Sequence, residues 1–381
     1  MVAQEIENDP VIKDVVRNSL NIWSSPLEKE DETRVLDDYS KYIRRKWLFI
    51  FTCLILIVIA VGYALSVGDY PIDFFDCYRV IWDHIWGNVP DELKLEDSII
   101  FTLRLPKLAV AILAGAALAV AGVVMQSTLM NPLADSYTTG VSSGASLGAT
   151  ISVVLGFSIF NIEQYGTILN AFVFSLIPMA VIVGISRIKN ASPTTMIMGG
   201  IAVMYLFNAF TTVFTLMADP NQLSDLYRWT VGSLGFASAD DVPIIAMFVI
   251  PIMIILMLMT HRLNALASGD ESAKALGIDA ERLRRICLVL VALMTAAVVS
   301  FTGLIGFVGL VAPHIVRIFI GADNRFLLPS SAAFGALLLI VSDLIGRTIM
   351  APAILQVGVV MAFLGGPLFL WLILRKKSNV W

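Results

Sequence analysis

Long apolar runs, each about the length of a membrane crossing, alternate with short polar connectors over most of this chain. A crossing helix needs about 20 apolar residues, because lipid offers no partner for backbone N–H and C=O groups and a helix satisfies them internally. Residues 47–67 meet that requirement, and the basic cluster KYIRRK at their start predicts a cytoplasmic N-terminal side. Further spans are predicted over 108–125, 137–157, about 166–185, about 194–216 and 242–260. From Ile286 the apolar sequence runs almost unbroken to Ile320, too long for one crossing and too short for two full ones. Gly303, Gly306, Gly309 and Pro313 interrupt it, which predicts a span to about Thr302, a broken turn and a short eighth span. Residues 327–345 and 357–374 bring the total to ten, with RKK closing the chain inside. The expected class is an all-α polytopic protein of the cell membrane, with about ten transmembrane helices and both termini cytoplasmic. Three parts follow: a polar N-terminal tail over 1–46, a transmembrane domain over 47–377 and a short tail over 378–381.

One polar island breaks the apolar second half: His261 to Arg285, HRLNALASGDESAKALGIDAERLRR. Within it DESAKAL predicts a short helix, with acids in the first turn, Lys and Leu later, and Gly277 as a stop. Asp279 is placed to cap the next helix, with Glu281 in that helix's first turn. A solvated connector and a surface for another macromolecule are both compatible with such a charge run.

Composition sharpens the class: 57% hydrophobic and 15% charged, with a mean hydropathy of +0.82, against about 45–50% and 25% in soluble domains. The net charge of −4 arises mainly from the tail and the first outer connector, so it identifies no partner. Cys53, Cys77 and Cys287 lack metal-ligand spacing and support neither a zinc site nor a disulfide framework. The tail has no basic start and apolar core of a signal peptide; within it VIKDVVRNSLNIW has the pattern of a short amphipathic helix, and SSPLEKEDE reads as a linker. Most Lys and Arg fall at predicted inner positions, as orientation requires. Among the outer exceptions, Arg104, Lys107 and Arg347 sit at span ends, where interfacial anchoring is the simple explanation.

An internal repeat at an offset of 181 pairs Arg104 with Arg285, Gly122 with Gly303, Pro132 with Pro313 and Gly140 with Gly321. The two copies enter the membrane from opposite sides, the inverted arrangement of many transporters. Gly140, Gly144 and Gly148 form a double GxxxG on the third span, and Gly115, Ala119 and Gly122 line the second, so close helix contact is expected there. Asp343 is the only carboxylate placed inside a span, four residues from Arg347 on the same helical face, where the two can pair. One carboxylate is a thin basis for an ion-coupled secondary transporter, which remains an alternative. No GxxxxGK[ST] phosphate loop, HExxH or nucleophile and base pair occurs, so neither an ATPase nor an intramembrane enzyme is read from this chain. His314 is read as a membrane histidine bonded to a neighbouring helix, with a ligand or gate element as the alternative.

The segments RLPKLAVAILAGAALAVAGVVMQSTLMNPLAD, GVSSGASLGA, GDESAKALG, GLIGFVGLVAPHIVRIFIGADNRFLLP, SDLIGRTIMAPAILQVGVV and GGPLFLW follow one another from about residue 103 onward. In this order they resemble the permease subunits of type II ABC importers for iron-siderophore complexes, haem and cobalamin. The resemblance implies a transport subunit rather than an enzyme. Expected partners are a second permease subunit, as homodimer or paralogue, ABC ATPase subunits inside and an extracytoplasmic substrate-binding protein outside. ATP and Mg would be bound by the ATPase and no cofactor by this chain. It further implies that Gly269, Asp270, Glu271, Ala275, Leu276 and Gly277 form the helix that couples to the ATPase. Arg104, Lys107 and Arg347 would receive carboxylates of the binding protein. An inner gate would involve Asn131 and Leu133 with Ser192, Thr194 and Thr195. A ferric-siderophore cargo is expected, with haem or cobalamin as alternatives. The long N-terminal tail departs from the family's shorter start.

Overall fold

The computed structural model describes residues 29–159, 165–189 and 192–374, all in helices, turns and connectors. The amphipathic stretch at 11–23 and the closing RKK lie outside them. The chain divides into two units, Met1–Leu48 and Phe49–Trp381. In the first, the described residues belong to helix α1 (Lys29–Ser66), where the Lys46 ammonium lies 3.9 Å from the centre of the Tyr42 ring. The end of SSPLEKEDE, expected as linker, is thus helical from Lys29 on.

In the second unit α2 (Phe74–Ile85) lies in a connector that the sequence left without an element, started by Asp73, whose side chain accepts from Phe75 N. Next, α3 (Lys94–Ser98), a π-helical stretch (Ile99–Arg104) and α4 (Leu105–Thr128) run together, so the second crossing helix starts well before residue 108. Pro106 explains the π stretch: its ring collides with a regular preceding turn, and the wider turn accommodates it. Then come α5 (Val141–Leu155), α6 (Gly166–Lys189), α7 (Pro193–Thr215), α8 (Pro220–Val231) and α9 (Asp241–Leu258). Helix α8 is a second element missed in a connector, with Asp219 and Gln222 forming its reciprocal cap. The polar island holds α10 (Thr260–Ala267) and α11 (Asp270–Ala275). The chain closes with α12 (Ala280–Thr302), α13 (Val308–Ile320), α14 (Asn324–Thr348) and α15 (Val357–Leu374).

Among the described residues seven helices are long and apolar enough to cross a membrane, and three shorter apolar ones, in α5, α13 and α15, take the third, eighth and tenth places. The break between α12 and α13 is narrower than the glycine and proline pattern predicts. Gly303 and Phe307, both at positive φ, bound it, while Gly309 and Pro313 lie inside α13. The turn after α8 plugs this break: Ser233 N donates to Thr302 O at 2.7 Å.

The repeat is visible in the packing. Helix α4 packs on α14 as α12 packs on α6, and the set α5, α6 and α7 recurs as α13, α14 and α15. Copies five crossings apart run in opposite senses, as an inverted repeat requires. The offset of 181 does not pair equivalent residues, however. Gly122 is inside α4 whereas Gly303 ends α12, and Pro132 is in a turn whereas Pro313 is helical.

Glycine makes these contacts possible, since helix association in lipid depends on close backbone approach. A Cβ at Gly115 would lie 2.3 Å from Gly335 O, one at Gly122 would lie 1.8 Å from Gly309 O, and one at Gly148 would lie 2.3 Å from Asn170 O. Gly122→Ala should therefore lower the thermal stability of the purified protein by about 1–3 kcal/mol or more. Gly184→Ala, whose added methyl meets nothing within 4 Å, should leave it unchanged. Equal melting curves for the two variants would overturn this packing account.

Candidate functional site

Two glycines isolate the short helix of the polar island. Gly269 at φ +108° and Gly277 at φ +75° hold backbone conformations that side chains resist, so α11 is set off from α10 and α12 by a sharp bend at each end. Asp279 caps α12 by accepting from Arg282 N at 2.9 Å, and Glu281 lies in its first turn, as the sequence predicts. On α11, Ala273 is buried, while Glu271 and Ala275 are exposed and Leu276, just beyond, is 70% exposed. The tip thus offers an acid and an apolar knob to whatever meets it.

The island is anchored by Arg284, which sequence reasoning missed. Its side chain is only 1% exposed, yet its Nη2 lies 2.6 Å from Asp270 Oδ1 and its Nε donates to Thr128 O at 3.0 Å. A buried guanidinium is tolerated only where such partners replace water. This one fastens α11 to the last turn of α4. The signal was present in the sequence: on a helix, Arg284 falls on the apolar stripe of Leu283, Cys287, Leu288 and Val291, where a cation demands a partner.

The last turn of α4 is a junction. Consecutive helical residues point about 100° apart, so three in a row reach three neighbours. Gln126 accepts from Arg317 Nη2 of α13 at 2.8 Å and donates to Gly309 O at 3.3 Å. Ser127 donates to Asn324 Oδ1 of α14 at 3.3 Å, and Thr128 receives Arg284 of α12. Asn264 of α10 adds a second tie to α14, donating to Asp323 Oδ1 at 2.9 Å and accepting from Asn324 N at 2.8 Å. Burial opposes charge on Asp323, but Arg325, 2.7 Å away, and Asn264 hold its carboxyl down at about 2.

The expected gate residues lie on two turns. Asn131 follows the junction directly and accepts from Leu133 N at 2.9 Å, leaving Leu133 48% exposed. A cavity of about 220 Å³ separates this turn from α10 and α13, lined by Gln126, Asn131 and Arg317. Ser192 caps α7, its Oγ 3.0 Å from Thr195 Oγ1, and Thr194 is exposed beside it. Among the described residues no hydrogen bond joins the two turns. Below the first turn Asp135 is buried, accepting from Ser136 N at 2.6 Å; burial pushes its carboxyl up to about 6.

At the opposite end Arg104, Lys107 and Arg347 converge. Lys107 lies 2.9 Å from Asp343 Oδ1 and Arg347 lies 3.0 Å from Asp343 Oδ2, the latter an ion pair without hydrogen-bond alignment. The expected pairing of Asp343 with Arg347 is therefore present, with Lys107 as an unforeseen third member. Arg347 also donates to Ala64 O at 3.2 Å, and Arg104 donates to Leu65 O and Tyr70 O. Two guanidinium groups thus cap the C-terminal carbonyls of α1. His314 is half-buried within α13. Among the described residues no group of three or more His, Cys, Asp or Glu could hold a metal ion.

The FecCD transport family model matches residues 54–375. An ABC transporter permease of Methanocaldococcus jannaschii is 40% identical over 350 residues, covering 90% of this chain and 98% of that protein. The hemin transport system permease of Yersinia pestis is 36% identical, covering 86% and 96%. The Fe(3+)-citrate import permease of Bacillus subtilis is 33% identical over 88% and 96%, and the vitamin B12 import permease of Vibrio vulnificus is 36% identical over 75% and 85%. A solved structure assigned to the metal-chelate type of ABC transporter, in an inward-facing conformation, superposes with a TM-score of 0.75 at 28% identity, covering 86% and 99%.

Two outcomes test this geometry. Arg284→Ala should destabilise the protein by about 2–4 kcal/mol, less than a fully enclosed pair because Asp270 is partly exposed, whereas Glu271→Ala should stay within about 0.5 kcal/mol. Similar melting temperatures for both would refute the junction. The Asp135 carboxyl favours its protonated form in the folded protein, so it adds stability below the ordinary carboxylate value of about 4 and loses it as pH rises through about 6. Asp135→Asn should flatten the pH dependence of melting between those values, and an unchanged profile would exclude this role.

Proposed function

The chain belongs to the FecCD transport family, and from that premise we propose that it is the permease subunit of an ATP-driven importer for ferric chelates of the siderophore type. The observation that carries the reading is the Arg284 bridge. A short exposed helix is useful to an external motor only if it is rigidly joined to the helices that must move, and Arg284 joins α11 to α4 within one side chain.

Under this proposal the island end faces the cytoplasm, with both termini on that side, and ABC ATPase subunits dock on Glu271, Ala275 and Leu276. Asp270, Gly269 and Gly277 shape and hold that surface. ATPase closure pushes α11; Arg284 passes the displacement to α4, and Asn264 passes it to the turn before α14. The adjoining turn with Asn131 and Leu133 moves as part of the gate, opposite Ser192, Thr194 and Thr195. A second permease subunit completes the path. ATP and Mg are bound by the ATPase, and this chain holds no cofactor of its own. Arg104, Lys107 and Arg347 face the substrate-binding protein, whose carboxylates would compete with Asp343 and the α1 carbonyls for them.

An ion-coupled mechanism finds no free carboxylate in Asp343, which is clamped between Lys107 and Arg347. For cargo, relatives named for iron chelates support the ferric reading; the Yersinia pestis relative, named for hemin, favours haem as the second one. Identifying which compound the copurified binding protein retains decides between them: a ferric chelate supports the proposal, and haem or a corrinoid replaces it.

Glu271→Lys should reduce ATPase association and transport with the chain still folded; unchanged transport would reject the coupling assignment. Arg104→Gln combined with Lys107→Gln should weaken binding-protein docking and flatten its salt dependence. An unaltered salt dependence would leave Arg104 as an architectural cap of α1 and Lys107 as a partner of Asp343.

A further inference from the structure

Helices α6 and α12 pack together yet part along one side, leaving two cavities of about 480 and 400 Å³ that share Val183, Arg187 and Val289. The two therefore form one groove. Its floor is open at Gly184, where an added Cβ would meet nothing within 4 Å, and its wall includes Ile286 and Val289, each about 40% exposed. At one end stand three arginines from two helices, Arg187, Arg282 and Arg285. Among the described residues the acid paired there is Glu281, 3.7 Å from Arg285 and itself partly exposed.

Dimensions and charge together define an occupant. The groove extends from Arg187 back to Leu176 on α6 and from Arg282 on to Leu293 on α12, a rise of eleven residue steps on each helix. At 1.5 Å per residue this is about 16 Å, half of a hydrocarbon core about 30 Å thick. An apolar trough as deep as one leaflet, with cations at its headgroup end, has the shape and charge of a single phospholipid with an anionic headgroup. A solvent-facing anion would not need the trough, and an uncharged lipid would not need the arginines.

We infer that the groove between α6 and α12 binds one anionic phospholipid, its phosphate on Arg187 and Arg282 and an acyl chain over Gly184 and Val289. Arg285, shared with Glu281, contributes less. Two residues beyond Arg282 lies Arg284, so the bound headgroup sits beside the helix start that anchors α11. Basic pockets between membrane helices recognise anionic lipids by this combination of attraction and burial.

The test uses the full chain purified in mild detergent and exposed to phosphatidylglycerol or phosphatidylcholine, with retained lipid counted by native mass spectrometry. The expected result is one tightly held phosphatidylglycerol per chain, favoured about tenfold or more over phosphatidylcholine. Arg187→Gln with Arg282→Gln should abolish that preference. Gly184→Leu should reduce retention while leaving the charges in place. Equal retention of the two lipids by the unaltered protein would overturn the proposal, independently of whether any variant folds. So would displacement by inorganic phosphate with no effect of Gly184→Leu, which would make it a free-anion site. Unchanged lipid counts in the arginine variant with lost ATPase association would assign the arginines to a protein partner and likewise overturn it.

Discussion

In lipid the usual drive to bury apolar surface is absent, so helices stay together only where their backbones come close or their polar groups find partners. Helix α4 meets that constraint twice. Gly115 and Gly122 let it lie against carbonyls of α14 and α13, and its last turn then sits within hydrogen-bonding reach of α12, α13 and α14. Every later feature depends on this placement. Were α4 held a methyl group's width farther from α13, Gln126 could not reach Gly309 and Arg317, and the cavity behind the Asn131 turn would change shape.

Arg284 converts that packing into a mechanical link. Its burial would be costly without Thr128 and Asp270, and with them it binds a short, glycine-bounded helix to the core of the transmembrane unit. Glu271 on α11 and Leu276 just beyond it are exposed. Such a division, one face held by the core and one exposed, is what the proposed coupling to an ATPase requires. The second tie, through Asn264 and Asp323, makes the island a two-point attachment rather than a hinged flap.

The opposite end shows the same economy of charge. Asp343 pairs with both Lys107 and Arg347, and the guanidinium groups of Arg104 and Arg347 close the carbonyl end of α1. These side chains have an architectural use already, and any docking use is added to it. Buried charges in a membrane protein are tolerated in clusters for this reason: each member supplies another's missing water.

The ten crossings, the short helix of the island, its glycine stops and the Asp279 cap were all legible in the sequence, because apolar period, span length and capping chemistry act over a few residues. Glycine ridges were legible as ridges, and Asp343 with Arg347 as a pair, since four residues on a helix share a face. What only the tertiary structure decided is which distant groups meet. Lys107 reaches Asp343 across more than half the chain, and Arg284 reaches Thr128 from the other repeat. The offset of 181 misjudged the repeat because symmetry here lies in which helices pack, and connectors of unequal length shift the register between copies. Helices α2 and α8 escaped notice because polar connectors carry no membrane period, and the groove between α6 and α12 because a gap belongs to two helices and is written in neither.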